Sequence, residues 1–336
     1  MVHERPAMYV GSLDGEGVLH LAGEVIDNAV KHGAGRATRL DVRVEEDGAI
    51  AIEDDGPGFA VADAAALITQ LTTWSMVPVA DRRPGMDLGV HGSGLMVVNA
   101  VSSRFEVTSV RDGRETRVAF ARGALVGEVI TVETSRASGV RVRFVPDAGL
   151  FGPARVPRAE LSRRLEDVAF LLPALRVSWS FASDAAAAGG LVERVARSAR
   201  GARGERTTIA HHRATVTDER GPIAIEVALA WRPDAGSPRF DTFANLARTV
   251  GGTHLDGLID ALVEFFAGSR RAVTTGLCAV VAIVLPGPQY GDYRKARLTS
   301  PVARGIAKAA TLAALATWEV AHPADAAARR AAIAAG

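Results

Sequence analysis

The strongest constraint on this chain is the order of three short polar motifs within its first hundred residues. The first lies on a helix. Val18, Leu19, Leu21, Ala22, Val25, Ile26 and Val30 recur at helical spacing over residues 14 to 33. Asp14 is placed to cap the start, and Gly33 and Gly35 stop it. Glu24 and Asn28 are four apart and share a face, and His20 lies on that face too. A carboxylate with a carboxamide one turn on suits a magnesium–nucleotide site. The amide oxygen ligates a hard cation while the carboxylate activates water. Taken alone, the trio is better read as a solvated helix face.

The second motif, Asp54-Asp55-Gly56-Pro57-Gly58, follows a hairpin expected from Leu40, Val42 and Val44, a turn at Glu46-Asp47-Gly48, and the run Ala49 to Ile52. An aspartate at a strand end can accept from an adenine amino group, and the glycines let backbone come close to a ligand. Alone, a simple turn explains it better. The third, Gly89-Val90-His91-Gly92-Ser93-Gly94, ends a long loop at 73–90 and opens a helix near Leu95. Glycine-rich helix starts cradle phosphate through backbone N–H groups. A plain hinge is an equal reading.

Beyond these motifs, a helix is expected at 60–72 and strands near 104–110, 115–121, 128–134 and 139–145. A helix at 158–171 and a strand at 174–181 close the first unit. A helix at 190–199 precedes a domain junction at 202/203. A second unit follows, with strands at 206–217, 222–232 and 277–286, helices at 253–267 and 299–320, and a frayed Ala/Arg tail. The fold class is α+β. At 336 residues, 48% hydrophobic and 23% charged, the chain has the composition of a globular protein of about two domains. Its net charge of +1 makes no case for a strongly basic nucleic-acid surface. No run reaches about 18 apolar residues, so no membrane span and a cytoplasmic location are expected. Cys278, the single cysteine, sits in an apolar run and reads as a buried strand residue.

The three motifs in this order resemble the GHKL ATPase superfamily, which includes gyrase B, a chaperone class, the histidine kinases and the MutL proteins. The closest likeness is to gyrase B and its topoisomerase IV relative. Arg5-Pro6-Ala7-Met8-Tyr9-Val10-Gly11 looks like the gyrase B entry segment, and Glu24 to Ala29 like its first ATP motif. Val97-Val98-Asn99-Ala100 continues the third motif, and Gly251-Gly252-Thr253-His254-Leu255 is similar to its transducer domain. The likeness implies a Bergerat ATP-binding α/β sandwich over 1–202 and a transducer of ribosomal-protein-like β-α-β type over 203–336.

It also implies ATP and magnesium as ligands. Glu24 would be the general base, with His20 orienting it. Asn28 would hold magnesium, Asp54 would bind adenine, and Gly58 would flank the base. Gly89, His91, Gly92 and Gly94 would wrap the phosphates. Arg117 matches a pocket-rim arginine, and Lys295 a lysine that reaches the γ-phosphate. The implied assembly is an ATP-dependent homodimer clamp with DNA and a DNA-cleaving protein as partners. No Asp-x-Asp-x-Asp cluster follows the transducer, so the chain is not expected to cut DNA alone.

Several positions depart from the family pattern. Tyr293-Arg294 stands where Gln-Thr precedes the lysine, Pro57 where an arginine is usual, and Lys31 or His32 where an acid is usual. Val140 replaces a threonine. Trp74-Ser75-Met76 lies in a loop without Gly-Gly-Lys, and the swapped N-terminal arm is missing. These point to the alternative, a non-hydrolysing nucleotide-binding regulator or scaffold. Glu24 and Lys295 point to the ATPase. Arg304 and Lys308, on one side of the alanine-rich helix, read as a solvated face or as a DNA-channel lining.

Overall fold

The computed structural model describes residues 2–33, 37–59, 94–181, 189–200, 207–234, 236–291 and 295–335. The helix expected at 60–72 and the loop at 73–90 lie outside these residues. The chain divides into two compact units, one ending at Ala187 and the next beginning at Ala188.

In the first unit, helices α1 (Pro6–Val10) and α2 (Gly15–Gly33) precede the hairpin of β1 (Arg39–Val44) and β2 (Ile50–Asp54). Helix α3 (Gly94–Ala100) leads into β3 (Ser102–Arg111), β4 (Arg114–Ala121), β5 (Ala124–Glu133) and β6 (Gly139–Pro146). Helices α4 (Ala148–Phe151) and α5 (Arg158–Leu171) and strand β7 (Arg176–Trp179) complete the unit. The sheet runs β5-β4-β3-β6-β2-β1-β7. Its neighbours are antiparallel except β1 and β7, which are parallel. Asp14 caps α2 as its position suggests, with Oδ1 accepting from the Glu16 and Gly17 amides at 2.9 and 3.3 Å.

Register sorts the two sheet faces. Ile50, Ile52 and Asp54 align with Phe144, Val142 and Val140, and these with Phe105, Val107 and Ser109. That face is apolar and covered, with Phe105, Phe144, Ile50 and Ile52 fully buried. Helix α2 lies against β2 and β6 and touches α3 and α5. The opposite face is a lattice of ion pairs. Arg143 joins Glu45, Asp47 and Glu106 at 2.7, 2.9 and 3.3 Å, and Arg39 joins Asp41 at 2.9 Å. Alternation with a period of two produces both faces from the same strands.

The second unit begins with α6 (Gly190–Ala199). This helix lies against β9 and β13, so the division between units comes ahead of the expected 202/203. Leu191, Val195 and Ala199 form its buried stripe. The five-stranded sheet has the order β11-β10-β13-β9-β8. Its strands are β8 (Ala210–Asp218), β9 (Gly221–Trp231), β10 (Arg239–Ala244), β11 (Ala247–Thr249) and β13 (Leu277–Val284). Between them come β12 (Gly251–Gly252), α7 (Thr253–Phe266) and α8 (Arg270–Thr274). After them come β14 (Arg297–Leu298), α9 (Pro301–Ala321) and α10 (Pro323–Ala335). Strands β10 and β13 are parallel, with α7 in the crossover between them. Ala279, Val281 and Ile283 of β13 share a core with α7 and α9, whereas Cys278 turns to the α6 side, its Sγ 3.3 Å from Ser198 O. A strand covered on both faces reads as one continuous apolar run.

The tail expected to fray is a docked helix instead. Ala326 and Ile333 of α10 are buried. Arg329 donates to the carbonyls of Ala272, Val273 and Thr275 at 2.9–3.3 Å, capping the end of α8, and lies 4.9 Å from the Trp231 ring. Burial alone lowers its pKa to about 10. Arg330 reaches Glu319 at 2.7 Å and Phe265 O at 2.8 Å. Alanine-rich composition gave no wide apolar stripe, so the docking signal was only Ile333 and the two arginines. Ile333→Ala should lower the stability of the chain by about 2–3 kcal/mol in urea denaturation. An unchanged midpoint would show that α10 does not dock.

Candidate functional site

On the covered side of the first sheet the first motif meets Gly94, the one described residue of the third, and the second motif ends β2. Helix α2 presents His20, Glu24 and Asn28 from one face, with His20 Nε2 3.9 Å from Glu24 Oε1. Asn28 Nδ2 donates to Glu24 O at 2.7 Å. That bond holds the amide nitrogen on the helix and leaves the carboxamide oxygen as the end to offer a cation. Gly94 opens α3 directly against Glu24. A Cβ at 94 would overlap Glu24 Oε2 where it now lies, so glycine leaves the carboxylate its place against the helix start.

Asp54 ends β2 in the apolar row begun by Ile50 and Ile52, and is only 8% exposed. Burial pushes its carboxyl up to about 7. The nearby Asp55 and Glu53 charges add to this, and the 2.9 Å hydrogen bond from Gly56 N opposes it. Asp55 does the opposite job. Burial works against its charge too, but the Thr38 hydroxyl and the Thr38 and Arg39 amides outweigh it. They donate at 2.6, 2.7 and 2.8 Å and hold the carboxyl below its ordinary range. Asp55 thereby ties the turn to β1. On the other side, buried Ser109 accepts from Phe59 N at 2.8 Å and donates to Phe59 O at 2.9 Å. Gly58, with φ +65°, fits between these ties, where a Cβ would overlap Val110 O.

Gly89, His91 and Gly92, expected around phosphates, lie outside the described residues. Arg117 is not brought to the site. Its register places it with Thr108, Arg141 and Glu53, one residue off the row of Thr116, Ser109, Val140 and Asp54. Its side chain therefore leaves from the other face, where it pairs with buried Glu115 beside Arg136. Lys295 belongs to the second unit, in a left-handed conformation with φ +57°. Arg304 and Lys308 pair with Asp260 and Glu264 of α7 at 2.7 and 2.6 Å, so the solvated-face reading describes them better than a free basic lining. Sequence reasoning missed Asp55 and Ser109 as positioning residues. Asp55 had a signal, its place in the motif; a serine within a strand had none.

A histidine kinase-, DNA gyrase B- and HSP90-like ATPase family model matches residues 13–149, and a DNA gyrase B model matches 190–329. The crystal structure of the 43K ATPase domain of Thermus thermophilus gyrase B, in complex with an aminocoumarin, is similar along almost the whole chain. Its TM-score is 0.79 at 28% identity, covering 99% of this chain and 94% of that one. The chain belongs to the gyrase B family of GHKL ATPases.

Gyrase B relatives agree. The chloroplastic/mitochondrial gyrase B of rice is 30% identical over 96% of this chain and 49% of its own length. That of Haloferax lucentense is 32% identical over 96% and 55%. The chain thus spans about half the length of the curated relatives it matches. A topoisomerase IV ATP-binding domain from Francisella tularensis, 22% identical with TM-score 0.71, shares the fold. Among the described residues no helix is long and apolar enough to cross a membrane.

The raised Asp54 pKa carries a stability consequence. The folded chain holds this proton more tightly than the unfolded chain does. Stability from this group is therefore full below about pH 4 and declines as pH rises through about 7. Asp54→Asn should be more stable than the parent above pH 7, by up to about 4 kcal/mol. The gain should vanish near pH 4. Equal melting temperatures at pH 8 would contradict the buried carboxyl.

Proposed function

We propose that this chain binds magnesium ATP and hydrolyses it slowly, as the nucleotide-gated clamp module of a type II topoisomerase of the gyrase B kind. The observation that carries the reading is Asp54, a buried carboxyl continuing the apolar Ile50 and Ile52 of its strand, with a single backbone donor. Among the described residues no other group donates to it. Such a site suits a flat base with one amino group to give, and the apolar neighbours Ile52 and Val142 suit its faces.

Bound magnesium ATP supplies the phosphoanhydride that water attacks and a cation that spreads the phosphate charge. The chain supplies the rest. Asn28 offers its carboxamide oxygen to the cation. Glu24 takes the proton of the attacking water, and His20 holds the carboxylate's orientation. Gly94, with Gly89, His91 and Gly92, wraps the phosphates with backbone N–H groups. Lys295, by the family likeness, offsets charge at the γ-phosphate. A second copy of the chain, DNA and a DNA-cleaving protein are the partners this role needs.

Two measurements test the reading. Glu24→Ala should keep ATP affinity and lose turnover by about 100-fold or more; turnover at the parent rate removes Glu24 as the base. An amino donor on Asp54 stabilises its charged form, so binding should lower the Asp54 pKa and release a proton near pH 7. Calorimetry in buffers of different ionisation heat should show that release in the parent and none in Asp54→Asn. Equal release in both would displace Asp54 from the base.

A further inference from the structure

The Gly251-Gly252-Thr253-His254 motif has no part in the chemistry above, yet every residue of it is engaged with one segment or with its own support. Gly251 and Gly252 pair in parallel with Arg297 and Leu298. A Cβ at Gly252 would overlap Leu298 O, so two backbones touch where any side chain would part them. Val250 N donates to Ala296 O at 2.8 Å, and the Thr253 hydroxyl donates to Ser300 O at 2.8 Å. The segment 296–300 is held on its other side as well. Gly291 N donates to Arg297 O at 2.9 Å, Thr299 N to Gln289 O at 2.8 Å, and Gln289 N to the Ser300 hydroxyl at 2.9 Å.

Beneath the motif, fully buried His254 places Nε2 3.2 Å from the Thr249 hydroxyl, which meets the Thr242 hydroxyl at 2.6 Å. This chain of polar groups fixes β11 to β10 where the motif begins. Lys295 is the residue immediately before the doubly held segment. Its left-handed φ of +57° costs a non-glycine residue about 1 kcal/mol. Such a conformation persists where neighbours over-determine it.

We infer that Gly251, Gly252 and Thr253 are the mount of Lys295, and that Thr253 is a positioning residue that fixes the direction in which this lysine presents its charge. The inference rests on the proposed role of Lys295 at the γ-phosphate and extends it to the motif that holds the next segment of chain.

The test uses the full chain and calorimetric affinities for magnesium ADP and for the magnesium complex of a non-hydrolysable ATP analogue. The readout is the ratio of the two, because only the analogue carries a γ-phosphate. Lys295→Ala should reduce the preference for the analogue by about 10-fold. Thr253→Val should reduce it several-fold with the ADP affinity of the parent, and Thr253→Ser should restore it. Adding Thr253→Val to Lys295→Ala should lower the ratio no further, since residues acting through one contact are not additive. A parental ratio in Thr253→Val, beside a reduced one in Lys295→Ala, overturns the mount and leaves the lysine's role standing. A parental ratio in Lys295→Ala removes that role, and with it the mount's function. Equal losses of ADP and analogue affinity in Thr253→Val would show a merely structural residue and also overturn the proposal.

Discussion

The first unit depends on a carboxyl placed by register where apolar side chains belong. Ile50, Ile52 and Asp54 lie two apart on β2, so all three enter the same covered face. A one-residue slip would turn Asp54 to the ion-pair lattice and bring Glu53 inward. Asp55 and Ser109 prevent the slip from opposite sides, one through β1 and one through β3. The aspartate is thus kept where its charge is costly, in a conformation its neighbours impose. A group held against its own solvation is where a ligand has most to offer, because a donor there meets no competing water.

The charged face of the same sheet explains why an arginine that matches in sequence stays apart in space. Arg117 aligns with a family position, but sequence alignment does not carry side-chain direction. Direction follows from which neighbour each strand residue faces, and the pairing of Thr108 with Arg117 settles it. On that face the arginine neutralises Glu115, a buried carboxylate shared with Arg136. Its fixed partner accounts for it without a nucleotide.

Much of this was legible in the residues. Helix α2, the hairpin, α5 and α6 follow from periodicity and punctuation, because each has one clear apolar stripe or a clean alternation. The site's order was legible because its parts are spaced along the chain in turn: Glu24 and Asn28 one turn apart on α2, Asp54 at the end of β2 and Gly94 at the start of α3. What was not legible depends on contacts distant in sequence. Strand β10, Arg239–Ala244, has its charged residues Arg239 and Asp241 answered by α6 and β11: Arg239 reaches Ser198 O, and Asp241 pairs with Arg194 and Arg248 at 2.6 and 2.5 Å. No local pattern announces that. Helix α10 was hidden because alanine and arginine give no stripe, and its hold comes from carbonyls of α8 and the faces of Trp231 and Phe265.

The second unit applies the same logic to a short strand pair. Ala279, Val281 and Ile283 of its sheet share a core with α7 and α9, and α7 starts directly from the short β12–β14 pair. Glycine at 251 and 252 lets that pair form at backbone contact, which leaves little room for the segment to shift without breaking several hydrogen bonds at once. Lys295 lies at the edge of this held part, one residue beyond it. Its side chain is a flexible four-carbon stem with a charge at the end, on a backbone that the hydrogen bonds around 296–300 hold from one side.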